Sequence, residues 1–221
     1  MSGVHVGSAH DLGGGRLALV LLVTLAMLAS CSSTKTPEHP PASSVSLPSG
    51  AGPGTCDAPA GAALQDQDPS DHQVPWKRKG ATKVVITFET KNVTPDLVAE
   101  MQKGVTAWNR SKCLDTKLVQ SCQPNSNCVT VSVAPESIVE ADGNFDAVES
   151  RGFTIGGHID YSSSLTGGAK TNVVIHEMGH AVGLAHRETE DVLMNEDTYD
   201  DVFDPDPIDY QNLLVLYGNQ Q

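Results

Sequence analysis

The stretch HEMGHAVGLAH, residues 176–186, decides how the rest of the chain is read. His176 and His180 stand four apart, Glu177 follows the first of them, Gly183 comes three residues after the second, and His186 closes the run. Residues i and i+4 share one face of a helix, so two imidazoles at that spacing can converge on one cation. The residue beside the first ligand is angled toward the open side of that cation, the place for a general base. His186 cannot join from the same helix, because ten residues of helix would carry it roughly 15 Å away. The helix must end and the chain must double back. Gly183 supplies the means, since glycine takes the left-handed, helix-terminating conformation without steric cost. Three histidine ligands leave a fourth tetrahedral position for water, which separates catalytic zinc from closed structural zinc. At residue frequencies of a few per cent, His-Glu-x-x-His arises by chance about once in several tens of thousands of positions, and the added glycine and histidine make coincidence about a thousandfold rarer.

At these residues the chain resembles the metzincin zinc endopeptidases, whose HExxHxxGxxH signature is matched in full. Metzincins also carry a methionine in a tight turn beneath the ligands. Met194, in VLMN, follows His186 by eight positions, a spacing similar to the matrixin branch. Residues 76–108, with Trp76, a strand, and a helix opening at Thr94-Pro95, are similar to the start of a matrixin catalytic domain, and PIDYQNLLVLYG at 207–218 is similar to its last helix.

The resemblance implies an α+β, zincin-like fold with a twisted mixed sheet, an active-site helix and a C-terminal helix. It implies zinc on His176, His180 and His186, with Glu177 as general base in the hydrolysis of peptide bonds of extracellular proteins. Gly183 and Met194 would be structural supports, Met194 as a hydrophobic floor and not a ligand. Substrate would extend along an edge strand somewhere in 144–162, and 195–199 would wall the specificity pocket, although that segment departs from the family's Pro-x-Tyr pattern. The alternatives are a zinc-containing surface module that binds without turnover, and a narrow processing protease. Inactive relatives usually lose the base or a ligand, and neither is lost here.

The 221 residues suffice for one domain with additions, and the additions come first. Residues 17–29, LALVLLVTLAMLA after Arg16, form a thirteen-residue apolar run of signal-peptide length. Leu28-Ala29-Ser30-Cys31 resembles a bacterial lipobox, with Cys31 acylated and holding the protein on a membrane's outer face; a plain signal peptide cleaved within 29–32 is the alternative. We therefore read 1–31 as a lipoprotein signal, 32–74 as a stalk and leader, and 75–221 as the catalytic domain, giving a lipid-anchored or secreted monomer. The proline-, serine- and glycine-rich segment 32–55 cannot build a core, whereas 56–74 is expected to run over the domain surface, so that the folded unit counts from about Cys56.

Within the domain, 82–90, 117–120, 128–133 and 156–162 read as strands. Thr94 caps a helix whose Leu97, Met101, Val105 and Trp108 make an inner stripe. The helix bearing the histidines is expected to open at Thr171 or Asn172. The last opens with Asp206 and Pro207 and contributes Leu213, Leu214 and Leu216 to the core.

Besides Cys31, the chain has Cys56, Cys113, Cys122 and Cys128, an even set that favours two disulfides in an exported domain. Short loops favour Cys113 paired with Cys122 or Cys128. A latency switch through Cys56 is disfavoured, because TCDAPAG departs from the matrixin PRCGxPD pattern. The net charge of −13 excludes nucleic acid as a natural partner. Ten acidic residues and no lysine or arginine fall between Glu188 and Asp209, either a solvated loop or a calcium site, and 140–149 is a weaker candidate of the same kind. Such acidity near a cleft favours basic or neutral substrates. His158 and Asp160 match a His-x-Asp that matrixins use for structural metals, but the other ligands have no counterpart, so His158 is expected to line the sheet or face solvent.

Overall fold

In β1 (Val84–Glu89) every second side chain, Val84, Ile86 and Phe88, is buried, the period of a strand with one face on a core. The computed structural model describes residues 55–71, 74–80, 83–135 and 143–220. The apolar run at 17–29, Cys31 and the segment 32–54 lie outside the described residues. Thr94 accepts a hydrogen bond from Leu97 N and Pro95 takes the first helical position, so α1 (Pro95–Trp108) begins where its cap dictates. Its stripe of Leu97, Met101, Val105 and Trp108 is buried as expected.

The remaining strands are β2 (Leu114–Val119), β3 (Cys128–Ala134), β4 (Gly143–Ser150) and β5 (Phe153–Ser162). They form one five-stranded sheet in the order β2-β1-β3-β5-β4, with β4 alone antiparallel to its neighbour. Helices α2 (Gly167–Ala181) and α3 (Pro207–Gly218) follow, completing a mixed sheet with three helices among the described residues, compatible with an α+β class. Helix α1 packs on α2, and α2 also meets β4 and β5. Ile86, Phe88, Val129, Val131 and Ile159 from the sheet close the core with Met101, Trp108, Val174, Ile175 and Met178 from the helices.

Three expectations change. Strand β4 had no sequence signal as a strand: five of its eight residues in a row, Asp146 to Ser150, are exposed, as an edge strand permits, so no alternation survives. Its hairpin to β5 turns on Arg151 and Gly152, both at positive φ, the geometry of a tight two-residue loop. Helix α2 opens at Gly167 and not at Thr171 or Asn172, because those side chains are engaged elsewhere: Thr171 Oγ1 donates to Glu100 and Asn172 Nδ2 to the carbonyl of Val202.

The third change concerns the disulfides, which are Cys56–Cys113 and Cys122–Cys128. Cys113 joins neither Cys122 nor Cys128, the partners expected from short loops: those two, six residues apart, pair with each other and leave Cys113 to Cys56. Cys113, at the entry to β2, is fully buried in the core, and the leader delivers Cys56 to it from 57 residues away. Cys56 thus carries no free thiol. Residues 55–71 are held to the domain further on: Gln65 exchanges two hydrogen bonds with the side chain of Asn212 on α3. Replacing Cys56 and Cys113 together by serine should cost about 2–5 kcal/mol in a denaturant titration, and the Cys122–Cys128 pair less, because it closes a far shorter loop.

Candidate metal centre

Helix α2 ends at Ala181 with Val182 as its C-cap, and Gly183 at φ +100° turns the chain back. The closing hydrogen bonds, Leu184 N to Gly179 O at 3.0 Å and Gly183 N to His180 O at 2.8 Å, are those of a Schellman turn. The carbonyls of Ala181 and Val182 have no helical partner, and two buried aromatic donors take them: Trp76 Nε1 at 2.7 Å and Tyr217 Oη at 2.8 Å. A Cβ on Gly183 would lie 3.2 Å from Pro75 Cα and 3.3 Å from Tyr217 Oη, so the position is restricted by space as well as by φ.

This reversal brings the three histidines together. His180 Nε2 lies 2.9 Å from His176 Nε2 and 3.1 Å from His186 Nε2. His176 Nδ1 faces the carbonyl of Leu193 at 2.7 Å and His180 Nδ1 that of Leu184 at 2.8 Å. A carbonyl only accepts, so Nδ1 carries the proton in both rings and each Nε2 presents a bare lone pair. Lone pairs aimed at one another this closely call for a cation between them. The nitrogens of a tetrahedral ion with bonds of about 2.0–2.1 Å stand about 3.3 Å apart, close to what is seen. The triad can therefore hold a metal ion, and it is the one such group among the described residues. Burial, reinforced by the neighbouring imidazoles, holds His176 well below the usual histidine range and His180 down at about 4, so both are neutral and ready to ligate at physiological pH.

Asp71 completes the third ligand. Its Oδ2 accepts the backbone N–H of His186 at 2.9 Å and lies 3.3 Å from His186 Nδ1, a carboxylate–histidine pair that orients the ring. Sequence reading missed Asp71, since it lies 115 residues upstream in the leader. Next to His186, Arg187 is buried and pairs with Asp66 at 2.8 Å, Asp206 at 2.8 Å and Asp209 at 3.0 Å. Burial raises the Asp209 carboxyl to about 6, against the pull of Arg187. Two members of the acidic stretch are thus counter-ions of an arginine, and among the described residues no three of its carboxylates converge as the histidines do. The one sequence signal for this hub was a basic residue standing at the head of a long acidic run.

Met194 is fully buried against α2: a Cβ on Gly179 would lie 2.4 Å from its Sδ. Asn195 clips the same turn, its Nδ2 donating at 3.1 Å to the carbonyls of Arg187 and Thr189 while its Oδ1 accepts from Asp197 N and Tyr199 Oη. His158 lies half-exposed on the sheet, bonded to Thr130 at 2.7 Å and Asp160 at 3.1 Å, and joins no metal group.

Glu177 stands at the floor of a cleft of about 580 Å³ that the three histidines share. Glu177 is 6% exposed, its carboxylate accepts no hydrogen bond among the described residues, and burial lifts it to about 8. Strand β4 forms one wall, close enough that a Cβ on Gly143 would lie 2.7 Å from Glu177 Cγ; Glu196, Asp197 and Thr198 form another. Against protein-family models the chain finds no match, and it finds none among curated proteins.

Replacing Asp71 by alanine should weaken metal affinity about 10–100-fold in a chelator competition. A pH dependence also follows. Without metal, Glu177 keeps its proton to about 8 when folded and to 4.5 when unfolded, so stability falls as pH rises through that window. His176 and His180 act oppositely, losing stability as pH falls below 6.5. Metal-free Glu177→Gln should therefore exceed metal-free wild type in Tm by more at about pH 8.5 than at about pH 5.

Proposed function

We propose that this chain is a metzincin-like, zinc-dependent endopeptidase that hydrolyses peptide bonds of proteins outside the cell. The observation that carries the proposal is the buried, unpartnered Glu177 beside three converging neutral imidazoles in one open cleft. Three nitrogen donors suit zinc and leave room in its coordination sphere, as catalytic sites require. Zinc, when bound by His176, His180 and His186, supplies Lewis-acid polarisation of a carbonyl and acidifies water.

The residues divide the remaining work. Glu177 takes the proton of the attacking water at a carboxylate oxygen and passes it to the departing amine nitrogen. The carbonyls of Leu193 and Leu184 and the carboxylate of Asp71 hold the imidazoles in orientation. Strand β4 lines the cleft and is one of the sheet's two edges, so an extended peptide can add to it by main-chain hydrogen bonds.

The two disulfides are consistent with an extracellular protein, and among the described residues no helix is long and apolar enough to cross a membrane. The disulfides support a place outside the cell, and the lipobox-like segment is the support for acyl chains on Cys31 holding the enzyme there, release as a secreted monomer being the alternative. On casein, zinc-loaded Glu177→Ala should lose at least about a hundredfold in rate while still binding zinc, the scale of general-base catalysis. Equal activity of variant and wild type would overturn the proposal.

A further inference from the structure

The cleft is lined by six carboxylates, Asp71, Asp146, Glu149, Glu177, Glu196 and Asp197, and by no lysine or arginine among the described residues. One divalent cation on the triad leaves the cleft negative. Arg187, the nearest basic residue in sequence, does not compensate, because its side chain is 2% exposed and its charge is taken up by Asp66, Asp206 and Asp209.

The charges also come from two separate segments that line the cleft. Asp146 and Glu149 sit on β4, while Glu196 and Asp197 sit on the segment after Met194. All four are exposed, and among the described residues Asp146, Glu196 and Asp197 form no ion pair. An acidic surface alone is commonly just solvated. Here it lines the same cleft as an unpartnered, nine-tenths buried glutamate and three converging imidazoles, so the acidic groups border the place where a ligand of that site would lie.

From this we infer that the cleft selects cationic polypeptide segments, with lysine or arginine side chains of the substrate meeting Asp146 and Glu149 on one wall and Glu196 and Asp197 on the other. The inference rests on the endopeptidase reading for turnover but not for binding. Low-dielectric walls of one sign concentrate the opposite charge at a cleft, and like charge is rejected.

The test uses two quenched fluorescent peptides with a common apolar centre, flanked by lysines or by glutamates. Zinc-loaded protein should show kcat/KM roughly tenfold or more higher for the lysine peptide, the gap narrowing as salt rises from about 50 to about 500 mM. The variant Asp146→Asn/Glu196→Gln/Asp197→Asn should lose rate on the lysine peptide and gain on the glutamate peptide, closing the gap severalfold. Equal kcat/KM for the two peptides, or a gap unmoved in the variant, would overturn the inference and leave the endopeptidase reading intact. The same peptides are titrated by anisotropy onto zinc-loaded Glu177→Gln. Tighter binding of the lysine peptide, with no cleavage of either by wild type, would support the inference and sink the endopeptidase reading. Equal binding with no cleavage would sink both.

Discussion

The end of α2 is the constraint on which the site depends. Two imidazoles from one helix can face a common point, but a third cannot reach it unless the helix stops and the chain reverses within a few residues. Gly183 permits the left-handed turn, and Trp76 and Tyr217 satisfy the carbonyls that the turn leaves without helical partners. These aromatic donors come from opposite ends of the domain, so the first and last segments of the fold are needed to finish one helix terminus. Pro75 and Tyr217 approach so closely that a side chain in place of Gly183 would also have to push them aside.

A second dependence runs through Arg187. Its guanidinium joins Asp66 of the leader and Asp206 and Asp209 at the start of α3 to the residue that follows His186. Removing one partner of such a buried pair strands the other, a cost of about 3–5 kcal/mol, so the leader is bound into the structure around the third histidine. The Cys56–Cys113 disulfide fixes the leader's beginning and Asp71 fixes its end. What the sequence presents as a polar leader is therefore a strap across the region of the site.

The distribution of acidic groups divides by burial. Asp206 and Asp209 are consumed in capping α3 and in pairing with Arg187. Asp146, Glu196 and Asp197 remain at the surface, where the walls of the cleft carry them. The same side-chain chemistry serves as counter-ion in one place and as surface potential in another, and only position distinguishes the two.

Periodicity and capping made β1, α1 and α3 legible, because Val84, Ile86 and Phe88 alternate, Thr94-Pro95 and Asp206-Pro207 mark helix starts, and Leu97 to Trp108 repeat on one face. Strand β4 was not legible, since an edge strand with most of its residues in solvent shows no alternation. Helix α2 began earlier than Thr171, whose polar side chain bonds to another element in place of capping its own. The sequence by itself determined the two histidines on one helical face, the glutamate beside them and the glycine that ends the helix, because each follows from local geometry over a few residues. Only the tertiary structure decided the partners at long range: Cys56 with Cys113, Asp71 with His186, Arg187 with its three carboxylates, and β4 with Glu196 and Asp197 across one cleft. Those pairings depend on how elements pack, and no local spacing encodes them.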